Sequence, residues 1–205
     1  MTTDWYRNSE WSESIESDFD AKLKRARRKS TYLRIQACTL AKTHPEIALK
    51  LLDRYFELDD DFDDAQAFVD QATAYVTLNR IEDAVKSYSR ALKRETQFPK
   101  LKTDAYIHLP LLIATKNLAE HYELATSLLD EHQSRLMFPY DHFRWNCARA
   151  LISFRTGDAL TAKQSAQLAI SAAKQDNSGF RYHPNIGLVG DKHSELMGDL
   201  ERIAE

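Results

Sequence analysis

No glycine precedes Gly157 in this chain of 205 residues, and only five occur in all. A Gly-rich phosphate cradle needs closely spaced glycines at a strand-to-helix turn, and the first 156 residues cannot supply one. Sandwiches and barrels are excluded on similar grounds, because their many tight turns need positive φ, which glycine adopts at least cost. The chain is therefore expected to be helical.

Charge narrows the partners. With 28 basic and 31 acidic side chains the formal net charge is -3, without the basic excess of a dedicated nucleic-acid binder. Cys38 and Cys147 stand far apart with no Cys-x-x-Cys spacing, which argues against a disulfide framework and a zinc knuckle and for two buried thiols. The opening Met-Thr-Thr-Asp-Trp-Tyr-Arg-Asn-Ser-Glu-Trp has no apolar stretch behind a basic region, and no run reaches the ~18 apolar residues of a span, so a cytoplasmic location is expected.

Apolar spacing of three or four sets out the helices. Ile15, Phe19, Leu23 and Ala26 form one stripe between Ser12 and Arg28, with acids at its start and bases at its end, as the helix dipole favours. Ser30 is read as the cap of a second helix, and Pro45 as the first turn of a third running to about Leu58. A fourth helix ends near Leu78, Asn79-Arg80 makes a turn, and a fifth runs from Ile81 to Gln97. Thr103 to Lys116, Ala119 to Leu136, Tyr140 to Arg155 and Asp158 to Lys174 continue the rhythm, with Pro110 kinking the first of these or marking its true start. Residues 175–190 have turn chemistry, and a last helix spans about Lys192 to Ala204.

A repeat emerges from the pairing. In Ala65 to Phe98 the first helix carries Phe68, Ala72 and Tyr75, the second carries Ala84, Tyr88 and Ala91, and Pro99 follows. Small residues leave room and aromatics fill it, a spacing that resembles the tetratricopeptide repeat. Other units are degenerate: Ser30 to Leu58 has Gln36 and Thr39 where the small and aromatic residues belong. The anchor alanines Ala48, Ala84, Ala125 and Ala162 are 36, 41 and 37 residues apart, against about 34 for a strict repeat. The chain also resembles small bacterial repeat proteins with a similar Asp-Trp-Tyr-Arg-Asn start and Phe-Arg-Tyr-His-Pro end. The resemblance implies an all-α, right-handed solenoid of antiparallel helix pairs in one domain. Residues 1–29 would be an arm and capping helix, 30–174 four helix pairs, and 175–205 an irregular segment and second capping helix.

Chemistry is sparse. Asp59, Asp61 and Asp63 alternate as in a calcium loop, but Asp64 replaces the sharp-turn glycine and Asp70 the bidentate glutamate, so a solvated turn with Asp63 or Asp64 as a cap is expected. No metal and no cofactor is expected, because the seven histidines show no ligand spacing. Asp141-His142 and Asp191-Lys192-His193 put acid beside imidazole without a recognisable nucleophile motif. A basic run, Lys22 to Lys29, follows the acids of its own helix.

Two surfaces stand out. The first-helix face, with Leu33, Ala37, Leu40, Val69, Thr73, Val76, Cys147 and Leu151, would form an apolar groove without the basic residues of a carboxylate clamp. The segment Gly179 to Gly190 gathers Phe180, Arg181, Tyr182 and His183 on irregular backbone, as either a contact loop or a plug folded on the repeats. Trp5, Tyr6 and Trp11 either staple the first helix or stand exposed. The expected function is a non-catalytic adaptor binding another protein, through a helix, peptide or loop, at Leu33, Ala37, Val69, Thr73, Val76, Phe180, Arg181, Tyr182 and His183. No nucleic acid or membrane is implied, and oligomeric state stays open. The alternatives are an immunity protein covering a cognate toxin, and a small hydrolase or transferase using His183, His193 and Asp191.

Overall fold

The computed structural model describes residues 4–58 and 61–205. Among them are ten α-helices and no strand, and none of the helices is long and apolar enough to cross a membrane. The chain divides into two compact units, up to Ala105 and from Tyr106 onward.

The first unit holds α1 (Glu13–Arg25), α2 (Lys29–Leu40), α3 (Pro45–Phe56), a short 3-10 turn (Asp61–Asp63), α4 (Asp64–Thr77) and α5 (Ile81–Gln97). Ser12 caps α1, its hydroxyl accepting from the Ile15 N–H at 3.3 Å. Pro45 occupies the first turn of α3, where its missing N–H costs nothing. Ser30, expected as a cap, instead lies buried inside α2, which begins one residue earlier behind Arg28. Helices α2 and α3 pack as one hairpin, α4 and α5 as another, and α3 joins them by packing on α4. The core runs through Phe19, Leu23, Leu40, Leu52 and Tyr55.

Trp5, Tyr6 and Trp11 are half-buried against this core and act as a staple. Trp5 lies 5.4 Å from Phe19 and 4.9 Å from Tyr32, centroid to centroid. A buried amide fixes the arm. Gln36, fully buried, accepts from the Asn8 backbone N–H at 2.9 Å and donates its Nε2 to the Asn8 carbonyl at 2.8 Å. The residue that looks like a failed repeat position is therefore the clamp for residues 4–11. Gln36→Ala is expected to cost about 2–3 kcal/mol, because it leaves Asn8 groups unpaired in a partly buried site. Urea unfolding measures the loss, and red-shifted tryptophan emission reports release of Trp5 and Trp11.

The second unit holds α6 (Ala105–Lys116), counted here from Tyr106, a 3-10 turn (Ala119–His121), α7 (Tyr122–His132), a second such turn (Gln133–Arg135), α8 (Pro139–Thr156), α9 (Ala159–Ala173) and α10 (Ser194–Ala204). Pro110 lies inside α6 and does not start it. The α8–α9 hairpin forms the body of the unit, and α10 packs on both of its helices. Phe143, Cys147, Ala150, Ala162 and Leu200 are buried there.

One turn recurs in both units. Helices α4, α6 and α8 each end in a left-handed residue: Asn79 (φ 56°), Asn117 (φ 56°) and Gly157 (φ 86°). In each case the next N–H bonds back to the last turn: Arg80 to Tyr75 O at 2.8 Å, Leu118 to Ile113 O at 3.0 Å, and Asp158 to Ser153 O at 2.9 Å. This is the Schellman closure, in which asparagine is the commonest substitute for glycine. Before the first glycine, at 157, two turns close on Asn instead.

Candidate functional site

The first-helix face contributes little open surface. Leu33, Ala37 and Leu40 belong to the core of the first unit, and Val69 is only 7% exposed. Thr73 and Val76 are half-buried, with the Thr73 hydroxyl donating to the Val69 carbonyl at 2.9 Å. Cys147 and Leu151 are likewise buried. Of the residues expected to line a groove, only Thr73 and Val76 offer a partner any surface.

Beside them lies a polar cluster that sequence reading missed. The Asp70 carboxylate, 4% exposed, accepts from Arg34 at 3.3 Å and from Gln66 Nε2 at 3.0 Å. Arg34 also reaches Asp63 at 3.4 Å, so the acidic run is partly structural. Asp63 stands at the N-cap of α4 without a capping side-chain bond, and Asp64 accepts from the Tyr55 hydroxyl at 3.2 Å. Asp59, one of the alternating acids, and Asp60 lie outside the described residues.

Cys38, expected to be buried, is exposed on α2. Partial desolvation of the sulfur by its neighbours, and then the Asp70 carboxylate to which the thiol donates, push its pKa up to about 11. Burial also raises the Asp70 pKa, against the pull of Gln66 and Arg34. Since only thiolate reacts, Cys38 should be alkylated by iodoacetamide at pH 8 about tenfold more slowly than an ordinary exposed thiol. Asp70→Asn removes the repelling charge and should accelerate labelling, read by mass spectrometry.

In the second unit, the 179–190 segment is tied at its base and open at its tip. Ser178 closes the turn, its N–H donating to Pro184 O at 2.8 Å and its hydroxyl to His183 O at 2.9 Å. The His183 N–H donates to Phe180 O at 3.0 Å. Phe180 leans on Phe138, 5.2 Å between ring centroids. Further on, Gly187 O accepts from the Tyr140 N–H at 2.8 Å, and Val189 is buried at 1% exposure. The segment divides: residues 187–189 pack on the unit, as the plug reading expects, while Arg181, Tyr182 and His183 stay exposed. Tyr182 is 79% exposed.

The start of α8 carries the base. The Asp141 carboxylate accepts from the Phe138 N–H at 3.1 Å and from Arg144 at 2.8 Å. Arg144 bonds His108 Nε2 at 2.9 Å and lies over the Tyr140 ring at 4.3 Å. The Tyr140 hydroxyl bonds His193 Nε2 at 2.8 Å, the two rings stack, and His193 Nδ1 faces Glu195 at 3.4 Å. Burial raises the Tyr140 pKa, which the Arg144 charge opposes. His193 thus braces the end of the loop. His183 lies at the exposed tip and Asp191 is exposed, and among the described residues no hydrogen bond or ion pair joins His183, His193 and Asp191.

No protein-family profile, no curated protein and no solved structure matches this chain.

Proposed function

We propose that the protein is a non-catalytic protein-interaction module, a right-handed array of degenerate tetratricopeptide-like helix pairs that acts in the cytoplasm and grips its partner with the 179–190 loop. The αL-closed turns at Asn79, Asn117 and Gly157, 38 and 40 residues apart, support the repeat reading. One observation carries the binding reading: Tyr182 stands 79% exposed between Arg181 and His183 on a loop whose base is hydrogen-bonded and packed. An exposed tyrosine and arginine held on a pre-shaped turn bind with little ordering cost, and both residue types dominate interface energetics. The remaining groove surface at Thr73 and Val76 is too small to compete.

The test uses the full chain as bait in native lysate beside a variant with Arg181, Tyr182 and His183 replaced by alanine. A stoichiometric protein should be retained by the wild type and lost by the variant, with the Tm unchanged because all three side chains are exposed. Equal retention by both proteins overturns the assignment of the loop.

A further inference from the structure

Apolar side chains lie on and beside the loop. Phe138 is flanked by Phe180 and lies against Gly187. Met137, next to Phe138 in the chain, is 63% exposed, Ile186, next to Gly187, is 48% exposed, and Phe180, which carries the Phe138 contact, is 40% exposed beside Arg181 and Tyr182. Exposed apolar side chains scattered singly mean nothing, but several on and against one hydrogen-bonded loop suit a contact surface. Methionine and aromatics are the residue types enriched at the centre of such contacts.

Its charge has one sign. From Asn177 to Gly190 the chain carries Arg181 and His183 and no carboxylate, and the Asp141 carboxylate at the Met137 and Phe138 N–H groups is paired with Arg144. Among the described residues no acid pairs with Arg181, whose guanidinium lies 5.4 Å from the centre of the Tyr182 ring. A guanidinium fork beside an apolar patch is complementary to a carboxylate that neighbours an apolar side chain. Nucleic acid fits less well: one permanent cation neutralises little phosphate, the chain is net negative, and Met137 and Ile186 offer aliphatic surface instead of stacking faces.

Building on the interaction reading above, we propose that the 177–190 turn docks a linear segment of a partner protein, with an Asp or Glu carboxylate on Arg181 and a neighbouring apolar side chain against Tyr182, Phe180 and Met137. Phe180, Arg181 and Tyr182 follow one another in the chain, so a carboxylate and an apolar side chain that are neighbours in one short segment can meet them together.

A displayed library of random linear peptides, panned on the full chain, tests this directly. Enriched sequences should carry an excess of Asp and Glu next to aromatic or aliphatic residues. A synthesised representative should bind about tenfold or more weakly to Arg181→Ala and to Tyr182→Ala, less weakly to Arg181→Lys, and more weakly as salt rises. Enrichment without an acidic bias, affinity indifferent to these substitutions, or no enrichment overturns the proposal. An Arg181-dependent affinity for oligo-dT stronger than for any peptide does so too, in favour of nucleic acid. A lysate partner lost in the alanine variant, with no peptide enriched, leaves the interaction module standing and removes only the linear acidic segment.

Discussion

Asp141→Ala should destabilise the protein by about 3 kcal/mol, measured as the fall in unfolding free energy from urea titration. Two losses combine. The carboxylate accepts from the N–H groups of Phe138 and Met137, at 3.1 and 3.3 Å, so its removal exposes the orphan donors at the start of α8. It also neutralises Arg144, whose side chain is 6% exposed against 13% for Asp141. Breaking such a pair from one side leaves a cation in a site that water barely reaches, and that residual penalty exceeds what the intact pair contributes. His108 still accepts one Arg144 bond, which keeps the cost at the lower end of the range for buried pairs. Asp141→Asn separates the two losses, since its amide oxygen retains an acceptor for the Phe138 N–H and removes only the charge. A loss for Asn close to that for Ala assigns the effect to the ion pair; a loss below about 1 kcal/mol assigns it to the cap. A variant Asp141→Ala within about 0.5 kcal/mol of wild type would contradict both.

This cluster also shows what the sequence could and could not disclose. Read along the chain, Asp141 adjoins His142, and the pair looks like acid beside imidazole. On a helix, adjacent side chains point about 100° apart, whereas positions three apart share a face, so the partner is Arg144. The stripes and anchor alanines were legible because burial follows helical period: Ala48, Ala84 and Ala125 are fully buried and Ala162 is 1% exposed. Turn chemistry was half legible. Gly157 announced itself, but Asn117 did not, because asparagine is common in ordinary loops and only the backbone reveals its left-handed state. Gln36 was illegible for a different reason. A polar residue on an apolar face reads as a mismatch until its partner, the Asn8 backbone 28 residues away, is in view. The groove was over-read, since the same apolar period that predicts a binding face predicts a core face, and Leu33 and Ala37 went to the core.

The segment 179–190 drew attention because glycine collects there, and the glycines prove to do unequal work. Gly179, Gly187 and Gly190 all have positive φ, at 81°, 65° and 56°. Around Gly179 and Gly190 an added Cβ meets open space, so Gly179→Ala and Gly190→Ala incur only the left-handed backbone penalty of about 1 kcal/mol. At Gly187 a Cβ would stand 2.5 Å from both Cβ and Cγ of Phe138. Those atoms sit at the root of the Phe138 side chain, next to the N-terminus of α8, and cannot swing aside as a flexible tip would. Gly187→Ala therefore combines the backbone penalty with overpacking, for a total of about 2–4 kcal/mol. Relief comes most cheaply by lifting the loop, which breaks the 2.8 Å bond from the Tyr140 N–H to Gly187 O and separates Phe180 from Phe138. The expected signature is a lowered Tm together with faster tryptic cleavage after Arg181, while the two control variants keep cleavage near the wild-type rate. If the loop grips a partner as proposed, the same variant should bind it more weakly with Arg181, Tyr182 and His183 all intact, because the proposed contact needs them held in one shape. Binding equal to wild type, in a protein whose loop is demonstrably released, would mean that the base of the loop contributes stability and nothing to recognition.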